Sequence, residues 1–244
     1  MRLSAIQASR SFLRSRQGSN TLCAVAPTDL SLEEGSLTAL SGPSGSGKST
    51  LLNMFAGLLP PSEGQILLDG RDLYQMDDRE LSRIRNHHIG VIPQGQTALQ
   101  ALNVQENILV PYYLSEKTKG DAWNQAQRRA EELMEQAGIA ELKQEMPPAL
   151  SGGELRRVAV CRVLLLQPEI ILADEPTGNL DEANENIVLD IFQQLHGEGT
   201  TLIVVTHDPE VGEVAQRTVT LEYGKIKSDE KNADFGREAV TDAV

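Results

Sequence analysis

Short, mostly apolar runs alternate with longer segments of helical spacing along the chain. Four such runs end at polar or turn-forming positions, and they span residues 37–41, 89–92, 170–173 and 201–205. Continuous apolar runs are typical of strands buried on both faces of a parallel sheet. Helical patterns occupy residues 48–56 and 182–195. The alternation predicts an α/β fold with a mostly parallel sheet.

Two regions depart from this alternation, and so does the end of the chain. Segments 3–7 and 28–32 have a polar face, as antiparallel strands do, so we expect a mixed sheet. Between residues 111 and 150 the composition shifts to Ala, Glu, Gln and Arg at helical spacing, until Pro147 and Pro148. We interpret this stretch as an all-helical lobe inserted into the core. From Asp229 the weak periodicity predicts a frayed or at most partly helical tail.

Composition excludes several classes of protein. The 244 residues include 22 Lys and Arg against 35 Asp and Glu, which gives a net charge of −13. Because so acidic a chain repels phosphate backbones, non-specific nucleic-acid binding is disfavoured. With 40% hydrophobic residues, disorder of the whole chain is excluded. The two cysteines, Cys23 and Cys161, are far apart, which fits a reducing compartment and suggests no metal cage.

The sequence predicts neither a membrane span nor a secretory signal. No stretch reaches the roughly 20 uninterrupted apolar residues of a membrane span. Residues 1–20 are basic but lack the continuous apolar region of a secretory signal. We therefore expect the protein in the cytoplasm.

A phosphate-binding motif lies between the first predicted buried strand and the helix that follows it. It consists of Gly42, Pro43, Ser44, Gly45, Ser46, Gly47, Lys48, Ser49 and Thr50, and it matches the P-loop pattern. Its glycines let backbone N–H groups turn towards phosphates, and the helix presents its positive N-terminal end to the same anion. Lys48 adds a charge for the β- and γ-phosphates of ATP, and the Ser49 hydroxyl is a ligand for Mg²⁺.

Two carboxylates follow another predicted strand. Asp174 and Glu175 come at the end of the run 170–173. Asp174 is expected to hold Mg²⁺ through water, and Glu175 to orient and deprotonate the attacking water. Two solvated acids at an ordinary strand end are the alternative, which the presence of the P-loop disfavours.

His207 ends the predicted strand 201–205 in a similar way. Ligands of parallel α/β sheets gather at the carboxyl ends of strands, where a neutral imidazole can bind the γ-phosphate or the attacking water. A lone histidine after a strand is nevertheless more often structural. His87, His88 and His196 have no such context, and we take them as surface residues.

A second candidate anion site lies at residues 150–154, with the sequence LSGGE. Ser151 offers a hydroxyl, and Gly152 and Gly153 offer backbone N–H groups at a predicted helix N-terminus. The segment resembles the signature of ABC-type ATPases. That resemblance implies a head-to-tail dimer in which each ATP lies between the P-loop of one copy and the signature of the other.

The resemblance covers about residues 3–227, with the family's motifs in order. It implies that Gln94 is the Q-loop glutamine, which reaches Mg²⁺ and the attacking water, and that His207 is the switch histidine. Residues 178–181, ending at Asp181, resemble the D-loop that contacts the opposite subunit. Phe12 resembles the aromatic residue that stacks on adenine, with a core phenylalanine as the alternative.

The resemblance also implies a fold and its division. We expect a P-loop NTPase of ABC type: a mixed-sheet core, an antiparallel β subdomain and an inserted α-helical subdomain. The ATPase domain would span residues 1–227, with its core at about 1–93 and 160–227. The helical subdomain would occupy about 94–159, and a short flexible tail 228–244.

Residues 173–181 together with the signature are similar to the group that contains lipoprotein-release, macrolide-export and cell-division ATPases. This implies an ATP-hydrolysing, Mg²⁺-dependent transporter subunit on the inner face of the cytoplasmic membrane. Its partners would be a second copy, an integral membrane permease and an extracytoplasmic accessory protein, and its work export or extraction. The alternative is a regulatory ATPase of a membrane complex that transports nothing.

Three departures from that group are visible. Pro93 stands where an aromatic residue is common, and residues 95–99 replace a more apolar loop, which bears on the identity of the membrane partner. Residues 154–157, with the sequence ELRR, replace a Gln-rich continuation. A soluble ABC ATPase that acts on nucleic acid or the ribosome is disfavoured by the acidic charge and the single ATPase unit.

Overall fold

The computed structural model describes residues 1–13, 21–95, 97–115, 121–178, 180–207 and 209–232. The chain forms two compact units: Met1–Met76 with Thr201–Val244, and Asp77–Thr200. The strands are β1 (Leu3–Leu13), β2 (Thr21–Leu32), β3 (Leu37–Ser41), β4 (Glu63–Leu68), β5 (Arg71–Asp72), β6 (Ile89–Ile92), β7 (Ile170–Asp174), β8 (Thr201–Val205), β9 (Arg217–Glu222) and β10 (Lys225–Lys231). The helices are α1 (Lys48–Phe55), α2 (Asp78–His87), α3 (Val104–Leu114), α4 (Asp121–Gln136), α5 (Gly152–Leu164), α6 (Glu182–Gly197) and α7 (Pro209–Val214).

The first unit contains an antiparallel sheet with the strand order β2-β1-β4-β5. Leu3 pairs with Leu32 on one side and with Leu68 on the other, and all three side chains are buried. The predicted antiparallel strands are therefore present. They run further than the segments 3–7 and 28–32, because β-bulges interrupt the alternation without ending the pairing.

The same unit contains the parallel strands that the apolar runs predict. β3 pairs in parallel with β8 and β9, whereas β10 pairs with β9 in antiparallel fashion, so the sheet is mixed. Every residue of β8 is buried, and so are four of the five residues of β3. Their bounds coincide with the predicted ones.

Strand β10 corrects the expected tail. Asp229 pairs with Val219, and its carboxylate accepts two hydrogen bonds of 2.6 Å from Arg217. Lys231 forms a salt bridge with Glu33 at 2.9 Å. Because β9 offers a strand partner and an arginine, the tail predicted to begin at 228 is β-structured through Lys231. Residues 233–244 lie outside the described residues.

The second unit consists of a short parallel strand pair and the helices. β6 and β7 pair from Ile89 with Ile170 to Ile92 with Ala173. Helices α3, α4 and α5 are in contact with one another, and two 3-10 turns, Ala140–Leu142 and Pro147–Ala149, lie between α4 and α5. The predicted helical lobe is therefore present. It begins earlier than residue 111, because α3 starts after the N-cap Asn103 and includes Pro111.

Candidate functional site

The P-loop residues follow β3 in the first unit, and α1 begins at Lys48. Gly42 and Gly47 have φ angles of +133° and +104°, which side chains other than glycine rarely adopt. A Cβ on Gly42 would lie 2.0 Å from the Leu221 carbonyl oxygen, and one on Gly47 would lie 2.2 Å from that of Ala24. Strands β9 and β2 therefore support the loop so closely that both positions require glycine.

Lys48 folds back over this loop. Its Nζ donates hydrogen bonds to the carbonyl oxygens of Gly42 at 2.7 Å and Pro43 at 3.0 Å. The side chain is 5% exposed, and Ser46 beside it is 3% exposed. Among the described residues, the Ser46 Oγ has no hydrogen-bond partner. The site fits a polyphosphate and its Mg²⁺, because it combines a buried cation, a hydroxyl without a hydrogen-bond partner and a backbone that only glycine adopts.

Tyr74 supports the far end of α1, a role that the sequence patterns did not indicate. Its hydroxyl accepts a hydrogen bond from the Leu59 N–H at 3.2 Å and lies 2.6 Å from the carbonyl oxygen of Leu59 and 2.9 Å from that of Met54. The tyrosine thereby satisfies backbone groups that the end of a helix leaves unpaired.

His207 follows β8 and is exposed. Leu40 of β3 pairs with Val205 of β8, and the Thr206 N–H continues the pairing with a 3.3 Å hydrogen bond to the Leu40 carbonyl oxygen. Since β3 leads directly into the P-loop, His207 and the P-loop lie at the same edge of this sheet. This is the placement that the sequence predicts.

Phe12 lies in β1 opposite Leu22 of β2. Its side chain is 37% exposed, so the core alternative does not hold. The Arg10 guanidinium carbon lies 4.9 Å from the ring centroid, in cation–π geometry, and Arg10 also donates to the Pro60 carbonyl oxygen at 2.8 Å. Two residues along β2 from Leu22, Ala24 contacts the P-loop. The ring thus remains a candidate surface for a nucleobase.

In the second unit, Gln94 and Glu175 are joined directly. Gln94 follows β6, Glu175 follows β7, and the two strands are parallel neighbours. The Gln94 Nε2 donates a 2.6 Å hydrogen bond to the Glu175 Oε2. Glu175 has a φ of +48°, which is uncommon for a residue other than glycine. Asp174, the last residue of β7, is 7% exposed.

The signature serine caps α5. Its N–H donates to the Glu154 Oε2 at 2.7 Å, its Oγ donates to the same oxygen at 2.9 Å, and the Glu154 N–H donates to the Ser151 Oγ at 3.3 Å. These hydrogen bonds hold the pKa of the Glu154 carboxyl below its ordinary value. This capping box starts the helix at Gly152.

Gly153 and Asp181 both lie next to Asn184, near the start of α6. A Cβ on Gly153 would lie 3.0 Å from the side-chain Cγ of Asn184. Asp181 is the N-cap of α6 and accepts hydrogen bonds from the Asn184 N–H at 2.9 Å and from its Nδ2 at 2.7 Å. Asn179 of the predicted D-loop lies outside the described residues.

Comparisons with known proteins identify the family. A model of the ABC transporter family matches residues 25–178. The ABC transporter ATP-binding protein YknY of Bacillus subtilis is 39% identical over 86% of this chain and 89% of its own length. The lipoprotein-releasing system ATP-binding protein LolD 1 of Rhodopseudomonas palustris is 40% identical over 81% of this chain and 87% of its own.

The chain belongs to the ABC transporter family. As an ABC cassette it is an ATP-binding transporter subunit with ATPase activity. A solved structure of the cassette MJ0796 in a dimeric post-hydrolysis state, bound to ADP and Pi, has 31% identity and a TM-score of 0.86. It covers 94% of this chain and 98% of its own. This neighbour confirms the predicted fold class.

A longer relative shows a different arrangement. The macrolide export ATP-binding/permease protein MacB 2 of Aeromonas hydrophila is 39% identical over 88% of this cassette, which spans 33% of that protein. Among the described residues of the cassette, no helix is long and apolar enough to span a bilayer.

Proposed function

We propose that two copies of this chain bind two ATP molecules at their shared interface and that hydrolysis drives a partner membrane permease. The observation that carries the proposal is the presence of two candidate anion-binding sites on one chain. One is the glycine-only loop with Lys48 folded across it, and the other is the glycine-rich start of α5 behind Ser151. The dimeric structures of the neighbouring cassette support a shared site.

In this proposal the P-loop, from Gly42 to Thr50, holds the phosphates through backbone N–H groups and the charge of Lys48. The start of α5 in the other copy, with Ser151, Gly152 and Gly153, offers further N–H groups to the γ-phosphate. Phe12 stacks on the adenine, and Asp181 lies at the interface. The exposed ring of Phe12 and the exposed hydroxyl of Ser151 support these assignments.

Ser49, Asp174 and Gln94 would hold Mg²⁺, directly or through water. The ion supplies charge neutralisation at the β- and γ-phosphate oxygens. Glu175 acts as the general base of the hydrolysis step. Its carboxylate accepts a proton from the attacking water, the water oxygen bonds to the γ-phosphorus, and the bond to the bridging oxygen of ADP breaks.

Gln94 and His207 orient the reactants in this proposal. The 2.6 Å hydrogen bond from the Gln94 amide occupies one oxygen of Glu175 and fixes the plane of the carboxylate. The exposed imidazole of His207 would bind the γ-phosphate or the attacking water. Both side chains therefore act on the geometry of a proton transfer, for which position matters as much as pKa.

The membrane partner is the second part of the proposal. In the Aeromonas protein a cassette of this kind and a permease share one chain, and the present cassette matches a third of it. A separate permease would supply what the other two thirds supply there, with an extracytoplasmic accessory protein as a further component. The cassette would lie on the inner face of the cytoplasmic membrane, in export or extraction of a substrate.

A mixing experiment tests the shared site. Lys48→Ala removes the charge from one anion-binding site, and Ser151→Arg fills the other with a long cationic side chain, so each variant alone should be inactive. In an equal mixture about half of the dimers pair one copy of each and hold one intact site of two, so turnover should recover to about a quarter of the wild-type rate. A mixture no more active than its components would contradict the proposal, as would full activity of Ser151→Arg alone.

A further inference from the structure

Arg156 is a buried cation that lies two residues beyond the signature, in α5. It belongs to the segment 154–157, which has the sequence ELRR. The residue is 8% exposed. A buried arginine is costly unless its donors find partners, so the groups that it binds show why it is there.

The partners of Arg156 are backbone carbonyl oxygens from two separate segments. Its NH1 group donates to Pro93 at 2.7 Å and lies 3.5 Å from the Gly95 oxygen. Its NH2 group donates to the carbonyl oxygen of Glu175 at 3.2 Å. The first two carbonyls flank Gln94, and the third belongs to Glu175 itself. Arg156 therefore fastens the backbone on both sides of the Gln94–Glu175 hydrogen bond.

The chemistry of the guanidinium suits this task. It is planar and offers five N–H donors in a fixed fork, so it can hold two chain segments at a defined spacing. A lysine ammonium is a single point on a flexible stem and cannot reproduce that fork. Burial lowers the pKa of Arg156, while the nearby carboxylates of Asp174 and Glu175 act in the opposite direction. These two carboxylates therefore favour the charged form of the donor.

We infer that Arg156 is a positioning residue for ATP hydrolysis, which holds Gln94 and Glu175 in register with each other and with the signature helix. The inference rests on the proposed role of Glu175 as the group that accepts the proton. Its consequence is that a change at the start of α5, where the second copy would bind, is passed to the Glu175 carboxylate through one side chain.

The test compares Arg156→Gln with a matched variant from the same helix, Arg162→Gln. Arg162 is also a partly buried arginine whose pKa is lowered by burial, but it donates hydrogen bonds to the carbonyl oxygen and Oγ1 of Thr97, at 3.0 Å and 2.6 Å. Arg156→Gln should lower kcat by roughly 10- to 100-fold, because small displacements of a reacting group have effects of this size. The KM for ATP should change by less than about threefold, since no phosphate-binding group is removed. Arg162→Gln should keep kcat within about threefold of wild type, even if its melting temperature falls as far as that of Arg156→Gln.

Glu175→Gln in the same assay separates this inference from the function on which it rests. In the Glu175→Gln background, adding Arg156→Gln should have no further effect on residual turnover, because the group that Arg156 positions is already disabled. If Glu175→Gln hydrolyses ATP at the wild-type rate, the proposed function fails. If Glu175→Gln is inactive but Arg156→Gln keeps the wild-type kcat, only the inference fails.

Arg156→Lys makes the result independent of folding. It keeps the buried aliphatic stem and the charge but loses the fork, so it should fold and show a kcat between those of wild type and Arg156→Gln. A wild-type kcat and an unchanged pH–rate profile in Arg156→Lys would overturn the positioning role, whether or not Arg156→Gln can be purified.

Discussion

At the scale of single residues, the P-loop is defined by backbone positions that exclude a side chain. Gly42 and Gly47 combine positive φ angles with neighbouring carbonyl oxygens at 2.0 and 2.2 Å from an added Cβ. At Gly45 and Gly70 the φ angles are also positive, but nothing lies within 4 Å of such a Cβ. An added Cβ therefore meets both backbone strain and a steric clash at Gly47, but only backbone strain at Gly70. Alanine variants at these two positions can separate the two effects.

Gly47→Ala should weaken ATP binding more than strain alone explains. Strain at a positive φ costs about 1–2 kcal/mol, and the contact with Ala24 forces the loop or β2 to move in addition. We expect the affinity for ATP to fall by at least about tenfold, which is roughly 1.4 kcal/mol. Titration with a fluorescent ATP analogue measures the affinity.

Gly70→Ala is the matched control, because it carries a similar φ of +81° outside the P-loop with open space around the Cβ. It should lower thermal stability while leaving ATP affinity unchanged. Equal affinities for Gly47→Ala and wild type would show that the loop does not hold the phosphates in the conformation described.

At the scale of elements, the start of α5 has two uses for the same groups. Ser151 and Glu154 satisfy the first backbone donors of the helix through the capping box. The same helix start is the proposed γ-phosphate site of the second copy, where the Glu154 carboxylate is a nearby negative charge. The cap stabilises the free chain and opposes an anion, so pH should affect the two in opposite directions.

The capping box predicts a pH dependence with a definite sign. The pKa of Glu154 is lowered from 4.5 by hydrogen bonds from Ser151. A lowered pKa in the folded chain means that the stabilisation is present above about pH 4.5 and is lost as pH falls through the folded value. Since Glu154 is only partly buried, solvent screening keeps the contribution below about 1 kcal/mol.

Glu154→Gln, which has no titrating group at this position, supplies the comparison. The melting temperature of wild type relative to Glu154→Gln should fall as pH decreases from about 6 to about 3, as expected for a group with a lowered folded pKa. A constant difference across that range would show that the carboxylate makes no preferential hydrogen bonds in the folded chain.

The strands show which elements a sequence pattern can locate. β3, β6 and β8 have the predicted bounds, because each is an uninterrupted apolar run that a buried parallel strand requires. β1 extends well beyond its predicted end at Gln7, where a φ of +46° and adjacent register shifts break the alternation. β10 needs the long-range partner Arg217, which no local pattern indicates.

Sequence patterns likewise locate some residues of the candidate site and miss others. Most of the candidate residues could be named from the sequence, since each lies in a short motif whose chemistry is local. They are the P-loop glycines, Lys48, Ser151, Asp174, Glu175 and His207. Arg156 and Tyr74 could not, because each acts on backbone carbonyls of segments far along the chain. Helical spacing indicates that a side chain is buried, but it does not indicate which carbonyl that side chain will bind.

At the scale of the whole molecule, the proposed cycle requires ATP to favour the paired state strongly. Moving an equilibrium from 1:99 to 99:1 takes about 5.5 kcal/mol of differential binding, which two nucleotides shared across one interface can supply. Hydrolysis must then remove that preference. A variant that binds ATP without hydrolysing it should therefore remain in the paired state.

Glu175→Gln is that variant. The amide keeps the size and the hydrogen-bonding capacity of the side chain towards Gln94, but it cannot accept the proton of the attacking water. Loss of the general base should reduce kcat by about 10²- to 10⁴-fold while ATP binding is retained. In the presence of ATP the chain should elute as a stable dimer in size-exclusion chromatography with light scattering.

Adding Ser151→Arg to the same chain should return it to a monomer that still binds ATP, because the nucleotide remains on the P-loop while the second copy can no longer close over it. Turnover of Glu175→Gln at the wild-type rate would remove Glu175 from the chemistry, and a dimer that survives Ser151→Arg would mean that the copies pair through another surface.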